Sequence, residues 1–230
     1  MEKSAGLRQE IGKKMPRISE IFYSVQGEID IGVPSIFVRF AGCNLITTGN
    51  GCEWCDSKYA QDGTEMLLIE VVRRIAFYSK CKNIVITGGE SLLQRESLFS
   101  LIEELMLLGK EYNLSIETNG TLFDSRLMVF NHISCSPKKQ SINLDILKRL
   151  NWWPQTRFKF VFEKDGNKWW EHDVIEPLKI PQEKVWIMPE GVHPAGQLED
   201  SIKVIEYCKE KGFNFTPRLH ILLWGPRRGV

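Results

Sequence analysis

Long apolar runs are missing from this 230-residue chain. No segment approaches the roughly 18 consecutive apolar residues that a spanning helix needs, and residues 1–15 are polar and charged, without the apolar centre of a secretory signal. Neither a membrane role nor export is expected. A surplus of one charge is missing as well: 30 Lys and Arg stand against 29 Asp and Glu, for a net charge of +1. The basic pairs Lys13-Lys14 and Arg227-Arg228 are too short to alter that balance, so direct binding to nucleic acid or to an anionic membrane is not expected. No Pro-, Gly- or Ser-rich linker, internal repeat or low-complexity run divides the sequence. Its hydrophobic content of 43% and aromatic content of 10% rule out disorder. The expectation is a single domain over 16–230 behind a loose N-terminal tail, 1–15, working in the cytoplasm.

Histidine is scarce, with four residues in all, and none precedes His132. Cysteine is not scarce. Of the six, Cys81, Cys135 and Cys208 sit in apolar or helical contexts and read as small packing residues. Cys43, Cys52 and Cys55 form a tight group, and in a reducing compartment such a group points to metal or redox work rather than to disulfides. The pattern C-x8-C-x2-C offers three thiolates and no obvious fourth ligand. A structural zinc site closes with four Cys or His ligands. An iron–sulfur cubane takes four cysteines, so three leave one iron open to an outside ligand. On the cysteines alone, a zinc-binding module and an open cluster both remain.

Short apolar runs at 35–40, 83–87, 113–118, 132–134, 157–162, 184–188 and 213–216 read as strands. Between them, Leu67, Leu68, Val71, Val72 and Ile75 repeat at helical spacing, as do Leu98, Leu101, Ile102, Leu105 and Leu108, and then Ile202, Ile205 and Cys208. This alternation predicts an α/β fold with a mostly parallel sheet, either doubly wound or a partial barrel. Glycines and polar residues collect after the strands, in Ala41-Gly42-Cys43-Asn44, Thr87-Gly88-Gly89-Glu90, Glu117-Thr118-Asn119-Gly120, Ser136-Pro137-Lys138 and Pro189-Glu190-Gly191. That is the edge at which parallel folds build their sites.

A cysteine triad after one strand and Gly-Gly-Glu after the next resembles the radical S-adenosylmethionine superfamily, although the usual triad spacing is C-x3-C-x2-C and here residues 44–51 form a longer loop. Such an insertion costs little in closure entropy. The segments IFYSVQGE (21–28), FVRFAGCN (37–44), WCDS (54–57), TGGE (87–90), ETNGT (117–121) and SPK (136–138), Leu92 to Gln94, and the tail residues His220, Trp224-Gly225 and Gly229-Val230 together resemble the 7-carboxy-7-deazaguanine synthase family. The resemblance implies an abbreviated, partly open (β/α) barrel and a homodimer. It also implies a [4Fe-4S] cluster, S-adenosylmethionine and Mg²⁺ as cofactors. The implied reaction converts 6-carboxy-5,6,7,8-tetrahydropterin to 7-carboxy-7-deazaguanine with loss of ammonia, on the way to queuosine or archaeosine, with a reductant protein such as a flavodoxin or ferredoxin. Another small radical enzyme, such as one that activates a glycyl-radical partner, is the alternative within the class.

Residue by residue, the resemblance assigns Cys43, Cys52 and Cys55 to the cluster and Ser57, where the family usually has threonine, to Mg²⁺. It assigns Trp54, Cys55, Asp56, Gly89, Glu90, Ser136, Pro137, Lys138, Met188, Pro189, Glu190 and Gly191 to S-adenosylmethionine, with Met188 standing where glutamine is frequent. Gly88 and Gly89 would let backbone approach a ligand and Glu90 would meet an ammonium group; a plain strand-to-helix turn capped by Glu90 is the competing reading. Val25, Gln26, Gly27, Glu28, Arg39, Thr87 and the carboxylate of Val230 are assigned to the substrate. Arg39 suits a carboxylate because its planar fork pairs two oxygens, though an internal salt bridge with a glutamate would serve an arginine in an apolar strand equally well. The tryptophan pairs Trp152-Trp153 and Trp169-Trp170 read as core or dimer surface rather than as a stacking platform for bases.

Overall fold

The computed structural model describes residues 15–52, 55 and 61–230. Strands β1 (Arg17–Val25), β2 (Pro34–Phe40), β3 (Thr64–Glu65), β4 (Asn83–Gly88), β5 (Asn113–Thr118), β6 (His132–Cys135), β7 (Thr156–Phe162), β8 (Val185–Pro189) and β9 (Asn214–Phe215) form one sheet. Their order is β3-β1-β2-β4-β5-β6-β7-β8-β9. β1 runs antiparallel to β2 and β3, whereas β2 and β4 to β9 run parallel. The sheet does not close on itself, so the parallel strands make the expected partly open (β/α) barrel.

Period-two alternation sorts the strand residues. One set, including Ile36, Val38, Ile84, Ile86, Phe158 and Phe160, is fully buried in the hydrophobic core. The other set mixes Phe37 and Val85 with polar residues. Arg39 is in register with Thr87, Glu117 with Ser134, and Ser134 with Arg157, which gives a belt of polar side chains across five strands. A belt of this kind has no place in a core and lines the barrel's interior cavity.

The helices are α1 (Asn44–Thr47), α2 (Leu68–Phe77), α3 (Arg95–Leu107), α4 (Leu144–Asn151), α5 (Glu176–Leu178), α6 (Pro194–Lys211) and α7 (Leu219–Trp224). In α2 and α3 the buried faces carry Leu68, Val71, Val72 and Ile75, and Leu98, Leu101, Ile102 and Leu105, as the spacing predicts, but Leu67 and Leu108, which flank the helices, are exposed. The expected face of α6 holds only in part: Cys208 is buried as expected and Ile205 is half-buried, but Ile202 is 69% exposed, and the other buried residues are Gln197, Val204 and Tyr207. Two contacts turn the helix this way. Gln197 donates to the carbonyls of Pro189, Glu190 and Gly191 at 3.2, 3.1 and 2.9 Å. Tyr207 packs its ring on Phe162 and gives its hydroxyl to Glu171 at 2.6 Å, which buries more area than an isoleucine would. Trp170 is fully buried and stacks on Phe160 at 5.8 Å, while Trp152 is 79% exposed. Cys81, Cys135 and Cys208 are buried, as packing residues should be. No helix of the described residues is long and apolar enough to cross a membrane.

Candidate active site

The cysteine group starts where β2 ends. Gln94 donates to the carbonyls of Ala41 at 2.9 Å and Arg17 at 3.1 Å, and Glu90 N–H donates to the Gly42 carbonyl at 2.9 Å. These bonds fix the chain just before Cys43. Cys43, Cys52 and Cys55 line one cavity of about 160 Å³, together with Gly89, Ser136 and Lys138. Lys138 folds back to donate to Ser136 Oγ at 2.6 Å.

The two glycines after β4 have a different first duty from the one the sequence suggested. Gly88 has φ +149°, which L side chains rarely adopt, and a Cβ there would run into the Phe40 carbonyl; a Cβ on Gly89 would run into the Gly42 carbonyl and Cys43 Cβ. The glycines let β4 close against the cysteine loop. Gly89→Ala therefore strikes backbone, and overpacking of that kind costs roughly 1–3 kcal/mol. The expected outcome is a folded protein by circular dichroism that retains severalfold less iron after reconstitution than the parent; equal iron content would disprove the packing argument.

Glu90 does what the competing reading said. It is 1% exposed, caps the turn Ser91–Gln94 through Leu92 N–H at 3.2 Å, and accepts from Asn119 N–H at 2.8 Å and Thr118 Oγ1 at 2.9 Å. Burial raises its pKa against those hydrogen bonds.

A second cavity of about 330 Å³ runs down the barrel interior and shares Arg39, Cys55, Thr87, Glu117 and Ser134 with the first, so the two are continuous. The volume is within the range of small-molecule sites. All seven residues assigned to the substrate line it: Val25, Gln26, Gly27, Glu28, Arg39, Thr87 and Val230. Their roles differ. Gln26 is buried, donates to Ser35 Oγ at 3.1 Å and has both backbone groups paired with the loop that follows, so its polar groups hold the turn. Gly27 lies against the His220 ring, which a Cβ would strike, and its carbonyl accepts from Leu219 N–H at 2.7 Å. Arg39 makes the internal pair: its Nε stands 2.7 Å from Glu20, and both side chains are about 15% exposed. Thr87 donates to Glu117 at 2.6 Å.

Charge is concentrated at Glu28. Its carboxylate pairs with Lys159 and, at 3.5 Å, with Arg218. Burial pushes the Glu28 pKa up, but the Lys159 and Arg218 charges and His220 pull it well below the usual carboxylate range. Burial likewise works against the charged form of Lys159, and Glu28 with Glu117 overcomes it and raises that pKa. His220 is pushed down by burial and the neighbouring cations, against the pull of Glu28.

Some assigned residues lie elsewhere. Pro137 and Glu90 stand behind the cavity walls, and Met188 and Pro189 are buried at the end of β8. Glu190 caps Lys164 N–H at 3.0 Å, and the Gly191 carbonyl accepts from Arg218 at 2.6 Å. These four positions, at the end of β8 and just after it, line neither cavity. Trp54, Asp56 and Ser57 lie outside the described residues. Sequence reasoning missed Lys159, Arg218 and Asn119. For Lys159 the signal was present, since a lysine in the apolar run RFKFVF raises the same question as Arg39 in SIFVRF.

The donor set fits an iron–sulfur cluster. Cys43, Cys52 and Cys55 all line one cavity, and three cysteine thiols are the donors such a cluster takes. Comparison with known proteins agrees: residues 38–151 match the radical SAM superfamily model, which makes the chain a radical SAM protein. Over 244 residues it is 34% identical to the 7-carboxy-7-deazaguanine synthase of Hyperthermus butylicus, covering 98% of this chain and all of the relative. Over 222 residues it is 32% identical to that of Pyrobaculum aerophilum, covering 93% and 96%. To that of Halobacterium salinarum it is 30% identical over 246 residues, covering 93% and 91%. The chain belongs to the 7-carboxy-7-deazaguanine synthase family.

Proposed function

We propose that the chain converts 6-carboxy-5,6,7,8-tetrahydropterin to 7-carboxy-7-deazaguanine with loss of ammonia, supplying the 7-deazapurine of queuosine or archaeosine in tRNA. The observation that carries this reading is one continuous cavity with three thiols at one end and all seven substrate-assigned residues along it. The cluster and S-adenosylmethionine supply, when bound, the one-electron chemistry that opens the reaction. Cys43, Cys52 and Cys55 hold the cluster. Gly89, Ser136 and Lys138, which share the cluster's cavity, face S-adenosylmethionine, as do Trp54, Cys55 and Asp56.

Along the larger cavity, Arg39, Thr87, Glu28 and the Val230 carboxylate orient the pterin. A desolvated cavity strengthens each of those contacts. Mg²⁺ on Ser57, a homodimer, a flavodoxin- or ferredoxin-type reductant and a cytoplasmic location belong to the same reading.

The test is turnover. Protein reconstituted anaerobically with iron and sulfide, then given the pterin, S-adenosylmethionine and a reductant, is expected to form 7-carboxy-7-deazaguanine and ammonia in equal amounts. Cleavage of S-adenosylmethionine without either product would reject the substrate while keeping the class.

A further inference from the structure

Three side chains outside the thiol set form a closed ring. Asn119 Nδ2 donates to Asn44 Oδ1 at 3.0 Å, Asn44 Nδ2 donates to Thr121 Oγ1 at 2.8 Å, and Thr121 Oγ1 donates to Asn119 Oδ1 at 2.6 Å. Every donor in the cycle runs the same way round, the arrangement in which hydrogen bonds polarise and strengthen one another. Turning either amide over would break two of the three bonds. The ring joins two segments far apart in sequence, because Asn44 directly follows Cys43 while Asn119 and Thr121 follow β5.

The ring is itself anchored. Asn119 N–H donates to Glu90, whose buried carboxylate also takes Thr118 and caps the turn after β4. Asn119 Oδ1 takes Thr121 N–H at 3.0 Å as well. The loops that follow β2, β4 and β5 are thereby connected through one polar network, with the first residue of the long cysteine loop at its end. Further along the same loop, Gln140 donates to the Asn50 carbonyl at 3.1 Å. A loop of eight residues between two cluster ligands has many conformations to lose, and the ring removes them at its first residue.

We propose that Asn44, Asn119 and Thr121 are positioning residues for the iron–sulfur cluster: their ring pins the start of the 44–51 loop to the barrel and so fixes the approach of Cys43. This rests on the reading of Cys43, Cys52 and Cys55 as cluster ligands. Thr121 is the position to change, since it lines neither cavity and Thr121→Val keeps its shape while deleting two of the ring's three bonds. Thr121→Ser keeps the hydroxyl.

The readout is the rate at which reconstituted protein loses iron to a chelator, measured well below the melting temperature, beside the melting temperature of each apo-protein. Two hydrogen bonds lost from a half-buried network correspond to roughly tenfold easier opening of the loop. Thr121→Val is expected to lose iron about tenfold faster, and Thr121→Ser at close to the parent rate. Asn44→Asp keeps the acceptor for Asn119 but loses the amide given to Thr121; it is expected to shift in the same direction and covers the case in which Thr121→Val does not fold. A general loss of stability would lower the apo melting temperatures without separating the release rates. Equal release from parent and Thr121→Val, or equal acceleration in Thr121→Ser, overturns the positioning role. Failure of the parent to take up any cluster overturns the underlying reading instead.

Discussion

Cys43→Ser is expected to leave a folded, nearly colourless protein with turnover reduced at least ~10³-fold, a loss of at least about 4 kcal/mol in barrier lowering. Serine is a hard, feebly acidic donor where the cluster needs a soft thiolate. Cys43 cannot be replaced by a neighbouring thiol, because Cys135 and Cys208 are buried in the core and burial pushes the Cys208 thiol up to about 11. A thiol with that pKa holds almost no thiolate at neutral pH and is no ligand. Cys208→Ala is accordingly the control that keeps iron, sulfide and colour. Iron and sulfide analysis of both variants, with product formation, checks the assignment. Full iron content in Cys43→Ser would move the cluster elsewhere.

How far this site could be read beforehand depended on what each residue's neighbours are. The parallel strands were legible because their core-facing residues alternate with others at period two, as Leu114 and Ile116 do within 113–118, or stand in a short apolar run, as in 83–87. β1 was not, since within Arg17–Val25 only Ile18 is buried and the segment carries no such run. That strand decides the site. Its antiparallel pairing with β2 sets Val25 opposite Pro34, and the turn 26–33 then stands at the cavity, where Gly27 meets His220 from the far end of the chain. Local pattern carries no information about a contact between residues so distant.

Arginine in SIFVRF shows the same limit at one position. The sequence says that Arg39 needs a partner and cannot say which; the missing strand supplies it as Glu20, in register with Arg39 and bonded to it at 2.7 Å. Glu90 had two readings for a related reason. A glutamate after two glycines offers a charge to a ligand, but the loop after β5 comes close enough to saturate that carboxylate from inside. The glycines remain necessary, and what they accommodate is the cysteine loop itself.

Glu28→Gln is expected to destabilise the apo-protein by roughly 3–5 kcal/mol, because it leaves Lys159 and Arg218 charged and buried with their shared partner gone. Lys159 is 7% exposed and Arg218 is 5% exposed, so water cannot replace the carboxylate. For a chain of this size the loss corresponds to a melting temperature lower by about 10 °C. Acid should remove the same stabilisation from the parent. The Glu28 pKa lies below its unfolded value, so the folded state holds fewer protons in the window between the two. Its contribution is complete above the unfolded carboxylate value of about 4.3. Below that it declines, and it is lost as the pH falls through the folded value. The gap between parent and Glu28→Gln should therefore be constant above about pH 5 and narrow steadily below it. Thermal melts of both proteins from pH 7 downward measure this gap. A gap independent of pH down to the acid transition would mean that the carboxylate's charge contributes nothing, and that Lys159 and Arg218 are held by something other than Glu28.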